Sequence, residues 1–213
     1  LQGLQARLAA ACAAAGRDVK TVTLLAVSKT FAPPSVAEAV AAGQRAFGEN
    51  YIQEGVEKVL ALRALHPDIA LEWHCIGPVQ SNKTRLVATH FDWVQSVDRL
   101  KVAERLSEQR PEGLAPLQVC LQVNVDGGAN KSGVTPDVLP SLAHAVAGLP
   151  ALRLRGLMCI PEPAPDFDSQ RALFLRARGL FDELNAQGLM LDTLSLGMSD
   201  DLEAAIAEGS TMV

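Results

Sequence analysis

Several features that mark particular classes of protein are scarce or missing in this 213-residue sequence. It has four cysteines, and no two of them form the C-x-x-C pair typical of zinc or redox sites. They lie far apart in apolar surroundings, so we expect buried free thiols in a reducing compartment and predict a cytoplasmic location. Aromatic residues make up only 4% of the chain, with a single tyrosine, Tyr51.

Charge and hydropathy exclude further classes. The formal net charge is -5, and the lysines and arginines are scattered without a dense basic block. No positive field therefore favours nucleic acid or an anionic membrane surface as a partner. No apolar run approaches the ~20 residues of a membrane span. The segment 1–16 is rich in alanine and leucine but interrupted by Arg7, and its helical periodicity favours a helix of the fold over a signal peptide.

The chain lacks a spacer rich in glycine, serine or proline, so we predict one domain over residues 1–213. Apolar, β-branched segments alternate with segments of helical spacing eight times, which predicts a parallel sheet covered by helices. A (β/α)₈ TIM-type barrel, with the last strand truncated, fits eight units; an open doubly wound sheet is the alternative. The predicted strands are 22–28, 45–49, 72–77, 92–97, 116–125, 153–160, 193–197 and 210–213.

Three of the helical segments carry start or stop signals, and a fourth is predicted from its helical period alone. Prolines begin 33–43 and Gly43 ends it. The segment 135–148 is predicted to start at Thr135, with Pro140 in its first turns, where a missing N–H is tolerated. Asp200 and Glu203 form a variant capping box in 199–209. A longer helix is predicted over 166–188.

In either architecture ligands bind where the strands end, and the first strand ends in Ser28-Lys29-Thr30. A single lysine after a strand is most often a solvated surface charge. A partly desolvated ammonium at a barrel mouth instead has a lowered pKa, which makes a free amine accessible for Schiff-base formation with an aldehyde. Both interpretations of Lys29 stay open on this pattern.

The turn "SLGMSDD" after the seventh strand is a second candidate. Gly197 permits an unusual backbone angle, and Ser199 or Asp200 can cap the helix that follows. Helix N-termini after strands seven and eight commonly hold phosphate groups in barrels. Ordinary capping is the alternative, and the two adjacent aspartates would repel an anion if they pointed inward.

The remaining candidates are single residues. Asn50 follows the second strand and could donate to a phenolic or carbonyl oxygen. His74 alternates with apolar residues, which favours a hydrogen-bonded core histidine. The loop "GGANKSG" lacks the spacing of a phosphate loop, so we interpret Lys131 as a solvated loop residue.

Six motifs in order over nearly the whole chain resemble the pyridoxal-phosphate homeostasis protein family of the YggS/PROSC type: "AVSKT", "AGQRAFGENYIQEGVEK", "WHCIGPVQSNK", "GANKSG", "LRGLMCIP" and "LSLGMSDDLEAAIAEGSTMV". The resemblance implies a barrel like the N-terminal domain of alanine racemase that binds pyridoxal 5'-phosphate (PLP). It also implies a carrier or buffer, with effects on vitamin B6 and amino-acid balance and without established turnover.

By the same resemblance, Lys29 is the Schiff-base lysine that holds PLP as an aldimine. Asn50 lies near the cofactor ring, Met198 and Ser199 help to hold the phosphate, and His74 is included among the cofactor-binding candidates. In the family "STMV" continues into "RIG", whose arginine faces the pyridine nitrogen. We therefore expect the sequence to be part of a longer protein, and a chain ending at Val213 to bind PLP weakly or not at all.

Two other functions are alternatives. A PLP-dependent amino-acid racemase would use the same aldimine, but usually needs a second acid or base, and alanine racemases take theirs from another domain and a dimer partner. A barrel without a cofactor would leave Lys29 merely solvated. We expect PLP as the bound molecule, PLP-dependent apoenzymes as possible recipients, no nucleic-acid or membrane partner, and a monomer.

Overall fold

Seven parallel strands follow one another in chain order around a curled sheet in the computed structural model. The structure describes residues 1–127 and 132–213, so the predicted solvated Lys131 lies outside the described residues. Each strand pairs only with its sequence neighbours, and a helix follows each. The strands are β1 (Ala26–Val27), β2 (Ala46–Glu49), β3 (Glu72–Cys75), β4 (Trp93–Val97), β5 (Leu117–Gln122), β6 (Leu152–Met158) and β7 (Thr193–Ser195).

The segment 210–213 closes the sheet between its two edges. Met212 forms parallel bridges with Thr23 on one side and with Ser195 on the other. The N–H of Val213 donates to the Thr23 carbonyl oxygen at 3.0 Å. This segment occupies the eighth position of the predicted (β/α)₈ barrel through isolated bridges, and the fold class is confirmed.

Eight α-helices are present in the described part of the chain. The helices that follow β1 to β7 cover the outer face of the sheet, which is why every residue of β4 is buried: one face meets the interior and the other meets helices. The helices are α1 (Gln2–Ala14), α2 (Pro33–Ala41), α3 (Ile52–Leu65), α4 (Thr84–His90), α5 (Leu100–Gln109), α6 (Leu139–Ala147), α7 (Phe167–Ala186) and α8 (Leu202–Ala207).

Two predicted helix starts were wrong. The helix α6 begins at Leu139 instead of Thr135, so that Pro140 falls in its first two positions, where its missing N–H costs nothing. The helix α8 begins at Leu202, after an N-cap at Asp201 that makes no side-chain cap bond. The Asp200–Glu203 capping box does not form, because Glu203 pairs with Arg7 instead.

The predicted burial of the cysteines and the predicted N-terminal helix are both confirmed. All four cysteines are free and buried. The helix α1 packs Leu8 and Cys12 against Leu202 and Ile206, and thereby covers α8. In residues 1–127 and 132–213, no helix is both long and apolar enough to cross a membrane.

Candidate functional site

A cavity of about 150 Å³ opens at the carboxyl ends of the strands. Its wall combines apolar side chains with a few polar ones that come from the ends of different strands, as in ligand sites of parallel α/β folds. The lining residues that matter for its chemistry are Lys29, Asn50, Gln95, Cys159, Ser195 and Met198.

Lys29 reaches this cavity because of strand periodicity. Leu25, Val27 and Lys29 alternate along the first strand and its extension, and all three line the cavity. Lys29 is exposed, so of the two interpretations left open by the sequence the structure favours a solvated side chain over a partly desolvated one. Among the described residues it has no hydrogen-bond or salt-bridge partner, which leaves its amine free to react.

The backbone that carries Lys29 is a tight turn. The N–H of Phe31 donates to the Ser28 carbonyl oxygen at 3.1 Å, so Lys29 and Thr30 are the two central residues. Thr30 has a φ of 67°, the single positive φ of a non-glycine residue in the described ranges. A β-branched residue is disfavoured in this region, so the turn needs support from its surroundings.

A buried ionic cluster provides that support. Lys58 on α3 and Glu49 at the end of β2 are 3% and 0% exposed and pair at 2.9 Å. Lys58 Nζ also donates to the Ser28 carbonyl oxygen at 2.5 Å and to Glu54 Oε1 at 2.6 Å. Ser28 Oγ donates to Glu49 Oε1 at 2.6 Å. The hydrogen bond from Lys58 lowers the pKa of Glu54.

Asn50 follows Glu49 and lies against the end of β3. A Cβ on Gly77 would come within 2.1 Å of the Asn50 carbonyl oxygen, so only glycine allows the two backbones to approach this closely. The side-chain oxygen Oδ1 of Asn50 is buried and has no hydrogen-bond partner in the described protein. Buried polar atoms are rarely left unpaired, so this atom is available to a ligand in the cavity.

His74 lies beneath the cavity and does not line it. Its ring is fully buried, stacks on Trp93 at 5.1 Å, and is bonded through both nitrogens. Gln95 Nε2 donates to His74 Nδ1 at 2.9 Å, and Ser195 Oγ donates to Gln95 Oε1 at 2.5 Å. The structure therefore places His74 behind Gln95, as the core histidine that its apolar neighbours favoured, and any influence on a ligand passes through Gln95.

The turn after β7 brings Met198, but not Ser199, to the cavity wall. Gly197 has a φ of 92°, as expected for this turn. Asp201 Oδ1 accepts a hydrogen bond from the Met198 N–H at 2.6 Å, so that donor is already engaged. Burial raises the pKa of Asp201. Ser199 is exposed, and its carbonyl oxygen accepts from Arg7 Nη1 at 2.6 Å.

Other chemistry has little support at this end of the barrel. Burial raises the pKa of the Cys159 thiol to about 12, so it is a poor nucleophile despite lining the cavity. No group of three or more histidine, cysteine or acidic side chains able to hold a metal ion occurs in the described part of the chain.

Sequence reasoning missed the residues around Lys29 and beneath the cavity. Glu49 was visible only as a strand end, and the Glu54–Lys58 spacing is typical of an exposed helical pair. Gln95 gave a usable signal, because a lone glutamine inside the apolar strand "WVQSV" implies a buried hydrogen-bond partner. Nothing in the sequence pointed to Ser195 except its position near a strand end.

Comparisons with known proteins identify the family of this chain. Residues 1–213 match the family described as alanine racemase, N-terminal domain. A pyridoxal phosphate homeostasis protein of Pseudomonas aeruginosa is 62% identical over 208 residues, which are 98% of this chain and 87% of that protein. The chain therefore belongs to the pyridoxal phosphate homeostasis proteins of the alanine racemase N-terminal domain family, as the six motifs implied.

Solved structures give the same result for the fold. A protein of Bifidobacterium adolescentis superimposes with a TM-score of 0.93 at 34% identity, over 100% of this chain and 89% of that one. PipY of Synechococcus elongatus, solved with PLP bound, has a TM-score of 0.82 at 38% identity, over 96% and 95% of the two chains.

Proposed function

We propose that this protein binds PLP in the cavity at the strand ends and holds it covalently through Lys29, as part of PLP homeostasis. The observation that carries the proposal is a free lysine amine beside the unpaired, buried Oδ1 of Asn50 in one cavity. The names of the relatives support it, since the Pseudomonas protein is a pyridoxal phosphate homeostasis protein and PipY was solved with PLP bound.

PLP would supply an aldehyde, a phenolic oxygen, a pyridine ring and a phosphate, and the residues of the cavity fit such a group. Lys29 would hold the group through Nζ, an amine that can condense with an aldehyde with loss of water. Asn50 orients the polar substituents of the ring through its amide. The turn that carries Met198 and Ser199 would lie next to the phosphate, although Ser199 does not line the cavity and Asp201 Oδ1 already accepts from the Met198 N–H.

His74 has an indirect part in this proposal. It fixes Gln95, whose amide lines the cavity together with Ser195. Since both polar atoms of Gln95 are bonded within the protein, its orientation is set before any ligand enters. His74 therefore shapes the polar floor of the cavity without touching the cofactor.

We further propose that the protein carries PLP without catalytic turnover. A racemase needs a proton donor and acceptor beside the reacting carbon, usually a second group besides the lysine. Among the described residues that line the cavity, the titratable side chains are Lys29 and Cys159, and the Cys159 thiol is inert. Tyr51 is 58% exposed and lies outside the lining. The relatives are named as homeostasis proteins, which also favours a carrier.

We further predict that the protein transfers PLP to apoenzymes, lies in the cytoplasm and is a monomer. Light scattering of the purified chain tests the last of these, with a mass of 22.6 kDa expected.

Absorbance spectroscopy tests the binding proposal. The protein mixed with PLP should gain a visible band, which Lys29→Ala abolishes and Lys101→Ala, at an exposed position of α5, leaves unchanged. An unchanged band in Lys29→Ala would refute Lys29 as the attachment point. Rapid formation of D-amino acid from L-amino acid, lost in Lys29→Ala, would instead establish the racemase alternative.

A further inference from the structure

The backbone groups on both sides of Lys29 are bonded to one ionic cluster. On the N-terminal side, the Ser28 carbonyl oxygen accepts from Lys58 Nζ at 2.5 Å. On the C-terminal side, the Thr30 N–H donates to Glu54 Oε1 at 2.6 Å. The same oxygen of Glu54 accepts from Lys58 Nζ, so a single pair of side chains on α3 holds both ends of the lysine's peptide segment.

The conformation of Thr30 makes this support necessary. The second central residue of a turn with positive φ is normally glycine or asparagine, because a Cβ crowds the backbone there. Thr30 holds a φ of 67° although it is β-branched. Its N–H bond to Glu54 is the described contact that opposes relaxation of the turn, and relaxation would redirect the Cα–Cβ bond of Lys29.

Burial of the charges makes the cluster rigid. Glu49 and Lys58 are almost completely removed from water, and Glu54 is 34% exposed. An apolar pair of similar volume would pack equally well without the desolvation of two ions. The ionic pair offers directional bonds to Ser28 Oγ and to the Ser28 carbonyl oxygen, which an apolar pair cannot make.

We propose that Glu54 and Lys58, with Glu49 behind them, are positioning residues that fix the 28–31 turn and thereby aim Lys29 into the cavity. The inference rests on the proposed function of Lys29 and deepens it. A fixed turn orients the amine before the aldehyde arrives, so less conformational freedom is lost when the bond forms. The cluster touches the backbone of Lys29's neighbours and leaves the amine itself unpaired.

The rate at which PLP attaches to Lys29 tests the inference. The reaction is stopped with borohydride at set times, and the labelled Lys29 peptide is quantified by mass spectrometry. Glu54→Ala removes the acceptor of the Thr30 N–H, and we expect a rate lower by about tenfold or more. Glu57→Ala, at an exposed position of the same helix, is the matched control and should keep the normal rate.

Two rescue variants distinguish positioning from general stability. Glu54→Gln keeps an oxygen for the Thr30 N–H and should recover most of the rate. Thr30→Gly in the Glu54→Ala background should do the same, because glycine adopts a positive φ without support. In the protein without PLP, the Thr30 amide should exchange with solvent faster in Glu54→Ala than in Glu57→Ala, while the melting temperatures of the two stay similar.

A normal rate in Glu54→Ala overturns the inference and leaves the proposed function intact. A slow rate that neither rescue variant restores also overturns it, since the effect is then merely structural. Absence of label on Lys29 in the unaltered protein refutes the proposed function and, with it, any need for positioning.

Discussion

Gln95 Nε2 donates a hydrogen bond to Nδ1 of the buried His74 at 2.9 Å. Because an amide nitrogen can only donate, Nδ1 accepts, and the ring proton is assigned to Nε2, which lies 2.8 Å from Glu72 Oε1. The imidazole is therefore neutral. Burial lowers the pKa of His74 from its ordinary value of 6.5, in spite of the neighbouring carboxylate.

This arrangement predicts a pH dependence of stability. The unfolded chain binds a proton at His74 near pH 6.5 and the folded chain only at lower pH, so stability falls as the pH drops below about 6.5. The His74 contribution to the slope is at most about 1.4 kcal/mol per pH unit. When urea unfolding is measured between pH 5 and 7, the free energy of unfolding should change less steeply with pH in His74→Gln than in the unaltered protein. The exposed His144→Gln is the control, and equal slopes in all three proteins would contradict the assignment.

Asn50→Ala should weaken PLP binding more than it weakens the fold. Its Oδ1 has no partner within the described structure, so little is lost in the unliganded protein. Loss of a ligand hydrogen bond costs about 1–3 kcal/mol, or roughly 5- to 150-fold in Kd. Fluorescence titration measures the change, with the exposed Asn82→Ala as control. Equal affinity in Asn50→Ala would remove Asn50 from the site.

Gly77→Ala should push apart the backbones at Asn50 and at the end of β3, next to the cavity. The new Cβ would meet the Asn50 carbonyl oxygen at 2.1 Å, and the backbones must separate at a cost of about 1–3 kcal/mol or more. Gly179→Ala is the matched control, since its Cβ meets open space on α7 and helix propensity gains about 0.5–1 kcal/mol. Denaturant unfolding measures the stability of both variants. A Gly77→Ala variant as stable as the unaltered protein would show that the close approach of the Gly77 and Asn50 backbones is not required.

Lys58→Met should destabilise the protein by about 3–5 kcal/mol, because it leaves the buried Glu49 carboxylate unpaired. Adding Glu49→Leu should recover part of that loss, since an apolar pair needs no compensating charge. Chemical unfolding of the single and double variants, with the exposed Lys101→Met as reference, checks the prediction. A double variant no more stable than Lys58→Met would contradict the claim that the unpaired Glu49 carboxylate causes the loss.

The order of strands and helices could be predicted because each apolar segment carries its own period and its own turn residues. The lengths of the strands could not be predicted in this way. The segment 22–28 is predicted as one strand, but only Ala26 and Val27 pair with β2, because residues 23–25 bond instead to the closing segment 210–213. Barrel closure depends on the register between the two ends of the chain, and local sequence does not encode that register.

The candidate site, like the fold, could be predicted in part. Lys29 and Asn50 follow strands, so their meeting at one cavity results from parallel topology alone. The exposure of Lys29 is what a lysine after a strand most often shows, whereas the burial of Lys58 is the reverse of what its helical spacing suggests. The burial of Lys58 depends on which face of α3 packs against the end of β2, a tertiary contact that no spacing within α3 reveals.

Mapping the covalent attachment of PLP is the most direct test of the central claim. The protein is mixed with PLP, reduced with borohydride, digested and analysed by mass spectrometry. We predict one dominant modified lysine, Lys29, with the other lysines labelled only at background level. Labelling spread over the exposed lysines, or a single label elsewhere than Lys29, would contradict the proposal that this turn holds the cofactor.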